Sequence, residues 1–171
     1  DSGSDFGFGD ISFTAFYAPE SKGITWGIGP VVSIPIGDDT HGSGKWGIGP
    51  SIVALGMPGN WVVGGLINNI WSVAGDENKS DVNFMTFQPF INYNFPDFYL
   101  TFTPIITANW EEDSDNKWTV PLGIGVGKLI KLGKLPVNFN VSYYNNVVKP
   151  VFAADWTLRV NATILLPASI L

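Results

Sequence analysis

Few side chains in this sequence could do covalent or metal chemistry. The single histidine, His41, stands in the acidic stretch Gly37–Gly44, and there is no cysteine. A lone histidine without a second soft ligand cannot build a zinc site, and on a loop it reads as a solvated side chain rather than a catalyst. Glu111, Glu112, Asp113 and Asp115 could offer oxygens to Ca²⁺, but the simpler reading is a solvated loop. Glycine-rich runs at Gly27–Gly29, Gly47–Gly49 and Gly123–Gly127 suggest phosphate loops in composition only, because none opens a helix. Inside strands they read as small positions where a wall curves or another segment comes close. Lys128, Lys131 and Lys134 gather at one short turn, where Lys128 can snorkel from an apolar face toward a polar boundary. Arg159, the only arginine, alternates onto one face with Thr157, Asn161 and Thr163. It is either a charge that tunes a passage or a group paired inside a filled interior. No enzymatic activity, cofactor or metal site is expected. The net charge of −6 disfavours nucleic acid, which needs clustered Lys and Arg.

The elements that carry these residues are read as strands. The 171 residues are 45% hydrophobic but only 14% charged, against about 25% charged in an ordinary soluble domain. No run approaches the ~20 consecutive apolar residues of a membrane helix. Apolar residues instead recur at every second position. From Met85 one face reads Met85, Phe87, Pro89, Ile91, Tyr93, Phe95, and the other Thr86, Gln88, Phe90, Asn92, Asn94. In the next segment Phe98, Leu100, Phe102, Pro104, Ile106, Ala108 and Trp110 oppose Tyr99, Thr101, Thr103, Ile105, Thr107 and Asn109. Period two is the signature of a strand with one apolar and one mostly polar wall. Nine strands are predicted, at 10–18, 24–36, 45–57, 61–73, 83–95, 98–110, 117–131, 135–147 and 156–167. The fourth does not alternate cleanly, since Asn68 and Asn69 are adjacent, and a bulge there would restore the phase.

The polar wall is Thr, Asn, Ser and Gly rather than Lys and Glu, which suggests an enclosed, wetted interior. Its candidate lining is Thr86, Gln88, Asn92, Asn94, Thr101, Thr103, Asn138, Asn140, Ser142, Arg159, Asn161 and Thr163. Short connections (Pro19–Gly23, Pro58–Asn60, Pro96-Asp97, Leu132–Lys134) alternate with long acidic ones (Gly37–Gly44, Ala74–Val82, Glu111–Asn116, Lys149–Asp155). That asymmetry, and tryptophans at strand ends, fit an outer-membrane β-barrel with two aromatic girdles. Trp46, Trp71, Trp110, Trp118 and Trp156 would lie near the long loops, and Trp26 and Trp61 near the short turns. The string WGIGP occurs at 26–30 and again at 46–50, placing Trp26, Ile28, Pro30 and Trp46, Ile48, Pro50 on one face. The expectation is a single all-β domain, an antiparallel transmembrane barrel over 1–171, with 1–9 the tail of an outer loop and strands within 10–167. Membrane lipid is its expected partner, in the outer membrane of a Gram-negative bacterium. Nine is odd where single-chain bacterial barrels are even, so missing N-terminal strands or a partner subunit are expected to complete it.

Several strings resemble one family. They are GDISFTAFYAP (9–19), GSGKWGIGPS (42–51), NNIWSVAGDE (68–77), SDVNFMTFQPFINYNFPD (80–97), ITANWE (106–111), NKWTVPLGIGVGK (116–128) and PVNFNVSYYNNVVKP (136–150), with Asp155-Trp156 opening the last strand. They resemble bacterial outer-membrane proteins described as transporters or neuromedin U-like proteins, related to those of the phenol meta-degradation pathway. The resemblance implies further strands before Gly9, about twelve in all, and a transport role without a defined substrate. The terminal Pro167–Leu171 departs from it, lacking the aromatic end common in barrel proteins. Three functions compete: a passive channel for small solutes, apolar ones included; a structural barrel or envelope subunit with a filled interior; and a soluble barrel holding an apolar ligand. The third needs an apolar interior and a charged exterior, the reverse of the faces read above.

Overall fold

The computed structural model describes residues 8–38, 42–133 and 135–164. His41, Asp39, Lys134 and the segment 165–167 of the ninth predicted strand lie outside them. The described residues form one antiparallel sheet of ten strands: β1 (Ile11–Thr14), β2 (Ile24–Ile34), β3 (Lys45–Gly56), β4 (Trp61–Gly75), β5 (Asn83–Asn94), β6 (Tyr99–Phe102), β7 (Ile106–Asn109), β8 (Trp118–Leu132), β9 (Leu135–Val148) and β10 (Trp156–Ile164). Consecutive strands neighbour one another, except that β6 and β7 share one lane between β5 and β8. The sheet is therefore nine lanes wide. Antiparallel hairpins place the short connections at one end and the long acidic loops at the other.

The sixth predicted strand, 98–110, is thus corrected to two. Its alternation runs through Phe102, Pro104 and Ile106, but the ladder does not. Proline has no N–H to donate, and the register of β6 and β7 on β5 sets Pro104 against Pro89. The same register resumes on the far side, so Thr103–Ile105 leave the ladder without shifting it.

The WGIGP echo acts in the same way. Pro30 and Pro50 face each other across β2 and β3. The Pro30 carbonyl accepts from the Ala15 N–H at 3.2 Å, but the return bond is impossible. The first predicted strand, 10–18, is accordingly reduced to β1 and a single bridge from Tyr17 to Ile28. The Ala15 carbonyl tilts over Gly29, where an added Cβ would lie 1.8 Å from its oxygen. The Asn69 carbonyl covers Gly49 likewise, at 1.6 Å. These glycines are the close-approach positions the sequence suggested.

The expected bulge at Asn68 and Asn69 is also moved. Asn68 pairs with Ser51 and Thr86, and the register against β5 runs unbroken through Asn69. The register shift against β3 lies between Trp46 and Gly47 instead. Pairing with β3 merely lapses opposite Pro50, which cannot donate.

The two faces differ. Side chains two and three lanes apart touch on one of them, which is therefore concave: Tyr99 on β6 reaches Asn138 on β9, and Arg159 on β10 reaches Thr103. The opposite, convex face is apolar and open, with Ile124 59% and Val160 67% exposed. Leu100, Leu122 and Leu158 are exposed beside them, while Phe102, Ile106 and Val120 are half-buried. Aromatic side chains end this face in two bands. Toward the long loops stand Trp46, Trp71, Trp110, Trp118 and Trp156, with Trp110 edge-on to Trp118 at 5.6 Å and Trp156 stacked on Tyr143 at 6.0 Å. Toward the short turns stand Trp26 and Trp61, the latter starting a chain of rings through Tyr93 and Phe95 to Phe98.

Candidate functional site

The concave face of β5–β10 gathers most of the polar residues chosen from the sequence. Asn92, Asn94, Thr101, Thr103, Asn138, Asn140, Asn161 and Thr163 line one hollow of about 400 Å³, together with Tyr99. The register explains the grouping. Asn92 faces Thr101, Thr163 faces Asn138, and Asn161 faces Asn140, each pair projecting to the same side.

Glycine in β8 makes the hollow possible. Thr101 and Ser142 flank Gly125 from the two sides, and an added Cβ there would come within 2.1 Å of Ser142 Oγ and 2.9 Å of Thr101 Cγ2. A Cβ on Gly127 would meet the Tyr99 ring at 2.1 Å. Tyr99 thus lies across β8 and its hydroxyl donates to Asn138 Oδ1 at 2.9 Å. A polar chain continues along β9, with Ser142 Oγ and Asn161 Nδ2 both donating to Asn140 Oδ1, at 2.8 and 3.3 Å. The Asn92 Oδ1 oxygen is buried and has no hydrogen-bond partner among the described residues.

The broken lane between β6 and β7 is repaired from this face. Thr103, beside Pro104, has left the ladder, and an unpaired backbone group away from water is costly. Its N–H donates to Tyr144 Oη at 3.0 Å, and its carbonyl accepts from Arg159 Nη1 at 3.1 Å. The Arg159 guanidinium also lies 4.6 Å from the centre of the Tyr144 ring, a cation–π contact. Tyr144 is 0% exposed. Tyr99 and Tyr144 were not among the lining residues chosen from the sequence. Their parity was the available signal, since Tyr99 alternates with Thr101 and Tyr144 with Ser142.

Thr86 and Gln88 share the concave face by register but stand outside the hollow, opposite Asn68 and Leu66. Here the sequence reading needs correcting. The concave side of β2–β4 is not a wall of polar side chains: it presents Val31, Val53, Leu55, Val62, Leu66 and Ile70 among its glycines, and β5 adds Phe84 and Phe90. Fully buried Ser51 finds no partner for its hydroxyl there among the described residues.

At the long-loop end a second hollow of about 510 Å³ opens between Thr107, Asn109 and Thr119 and the loop residues Glu112, Asn116, Lys117, Val151 and Phe152. The Val151 N–H donates to Asn116 Oδ1 at 3.1 Å, tying the two loops together. In the acidic loop Asp113 Oδ1 accepts from the backbone N–H and side-chain amide of Asn116. No three acidic or histidine side chains converge on one point among the described residues. Comparison with protein-family models, with curated proteins and with solved structures finds no match to this chain.

Proposed function

We propose that this sheet is the wall of an outer-membrane β-barrel that passes small solutes. The observation that carries the reading is the contrast of faces: a convex apolar band between two aromatic bands, and a concave face holding a polar hollow. A convex surface so apolar is unsuited to water but suited to acyl chains, with the rings at the headgroups. The long acidic loops would face the cell exterior and the short turns the periplasm. Among the described residues β1 pairs only with β2, and β10 only with β9. Bare strand edges in hydrocarbon cost several kcal/mol per unsatisfied group, so further strands of the same protein or of a partner subunit would complete the barrel.

A test combines topology and flux. The protein should leave membranes only with detergent. An impermeant thiol label on intact cells should reach Asp113→Cys and not Asn60→Cys, and the purified protein should carry solute into liposomes. Extraction by carbonate alone would end the membrane reading. Labelling at position 60 alone would reverse the orientation.

The second reading, a structural barrel or envelope subunit with a filled interior, is favoured by one observation. Tyr99, Tyr144 and Arg159 bridge lanes across the concave face and occupy space there. Insertion without flux of any small solute would select it.

A further inference from the structure

Arg159 holds a charge that no described residue neutralises. Among the described residues its only hydrogen bond goes to the neutral Thr103 carbonyl, and the ring beneath it is Tyr144. It forms no ion pair among the described residues, where Lys45 and Lys149 pair with Asp81 and Asp155 at 3.1 and 3.2 Å. The residues that contact and register place beside it, Thr103, Tyr144 and Ser142, are uncharged. A guanidinium has five N–H donors in a planar fork shaped for carboxylates, and only one is used here. Stacking and the Thr103 bond fix its direction, so little ordering remains when an anion arrives.

Resting on the channel reading, we infer that Arg159 is an anion subsite that gives the pathway a preference for small carboxylates and halides over cations. The acids of the long loops oppose this only at the mouth. Exposed charges are screened beyond about 8 Å at physiological ionic strength, whereas partly buried ones are screened less.

Two measurements on the full-length protein test it. Arg159 is the only arginine in this sequence, so its reaction with phenylglyoxal can be followed by mass spectrometry of its peptide. In detergent, acetate should slow that reaction several-fold relative to N-acetylarginine amide in the same tube, and neutral acetamide should not. In planar bilayers under a KCl gradient, the wild type should favour chloride over potassium. Arg159→Gln, which keeps an N–H for Thr103, should lose the preference, and Arg159→Lys should retain it. Absence of protection by acetate overturns the inference, as does a chloride-to-potassium ratio that Arg159→Gln leaves unchanged. Protection without any conductance supports the anion subsite and refutes the channel instead.

Discussion

The concave faces of the two halves of the sheet are built by different means. In β2–β4 the backbone itself closes in: the carbonyls of Ala15 and Asn69 lie over Gly29 and Gly49, and the remaining space is apolar. In β5–β10 a carbonyl still covers Gly123, that of Tyr143, but over Gly125 and Gly127 it is side chains that close in and bond one another. Both halves use close backbone approach, and the second adds directed hydrogen bonds between side chains. The same glycine-rich composition therefore serves tight packing in one place and makes room for a polar network in the other.

The convex face should show no such division, and there the largest effects are expected. Leu122→Arg on β8 and Ile48→Arg on β3 should each cost ~2–4 kcal/mol of stability in bilayers, read from denaturant unfolding in liposomes. A large cost at one site and none at the other would break the comparison, because the halves would then differ on both faces. On the concave side Gly49→Ala forces a methyl onto the Asn69 carbonyl and should cost about 1–3 kcal/mol through displaced backbone.

Deleting one hydroxyl from each half gives the sharpest contrast. Tyr144→Phe leaves the Thr103 N–H unpartnered and should cost about 1–3 kcal/mol. Ser51→Ala removes a buried hydroxyl that has no partner among the described residues and should be neutral or slightly stabilising. Equal losses for the two would show that β2–β4 also relies on hydrogen bonds.

The smallest effect concerns the loop at 76–82. The hydrogen bond and charge of Lys45, with the Ser72 hydroxyl, hold the Asp81 carboxyl below its ordinary value. A lowered folded value means stability present above the unfolded value and lost as pH falls through the folded one. Protease cleavage of this loop should thus rise only below about pH 4, and Asp81→Asn should remove that pH dependence.

Much of this was legible in the sequence where alternation was clean. Met85–Asn94 and Trp156–Ile164 became strands with the expected faces, and eight of the twelve lining residues meet in one hollow. Alternation could not reveal the break at Pro104, because apolar residues continue on the same parity through Phe102 and Ile106. Alternation puts Tyr99 and Tyr144 on the parity of the polar wall, but it could not reveal what they do there, because that depends on their partners, Asn138 and Thr103. Those partners lie on other lanes, so the information is tertiary. The interior of β4 was obscured by Asn68-Asn69, which misled the phase and hid Leu66 and Ile70 on the concave side.

The facing prolines of the WGIGP echo have a consequence for how the sheet comes apart. Pro30 directs its backbone groups toward β1, so the Pro30–Pro50 pair sits at a position where β2 and β3 exchange no hydrogen bonds, and Pro50 correspondingly faces β4. Neither proline weakens the ladder between β2 and β3. Each removes one bond from its far side, at the same height along the sheet. The β2–β3 ladder thus keeps its bonds at this height while the ladders to β1 and β4 each lose one there, a local weak line on either side of the hairpin. Amides of β2 and β3 that face one another beside the proline pair should exchange with solvent hydrogen more slowly than the Ala15 amide, which bonds outward across the thinned side.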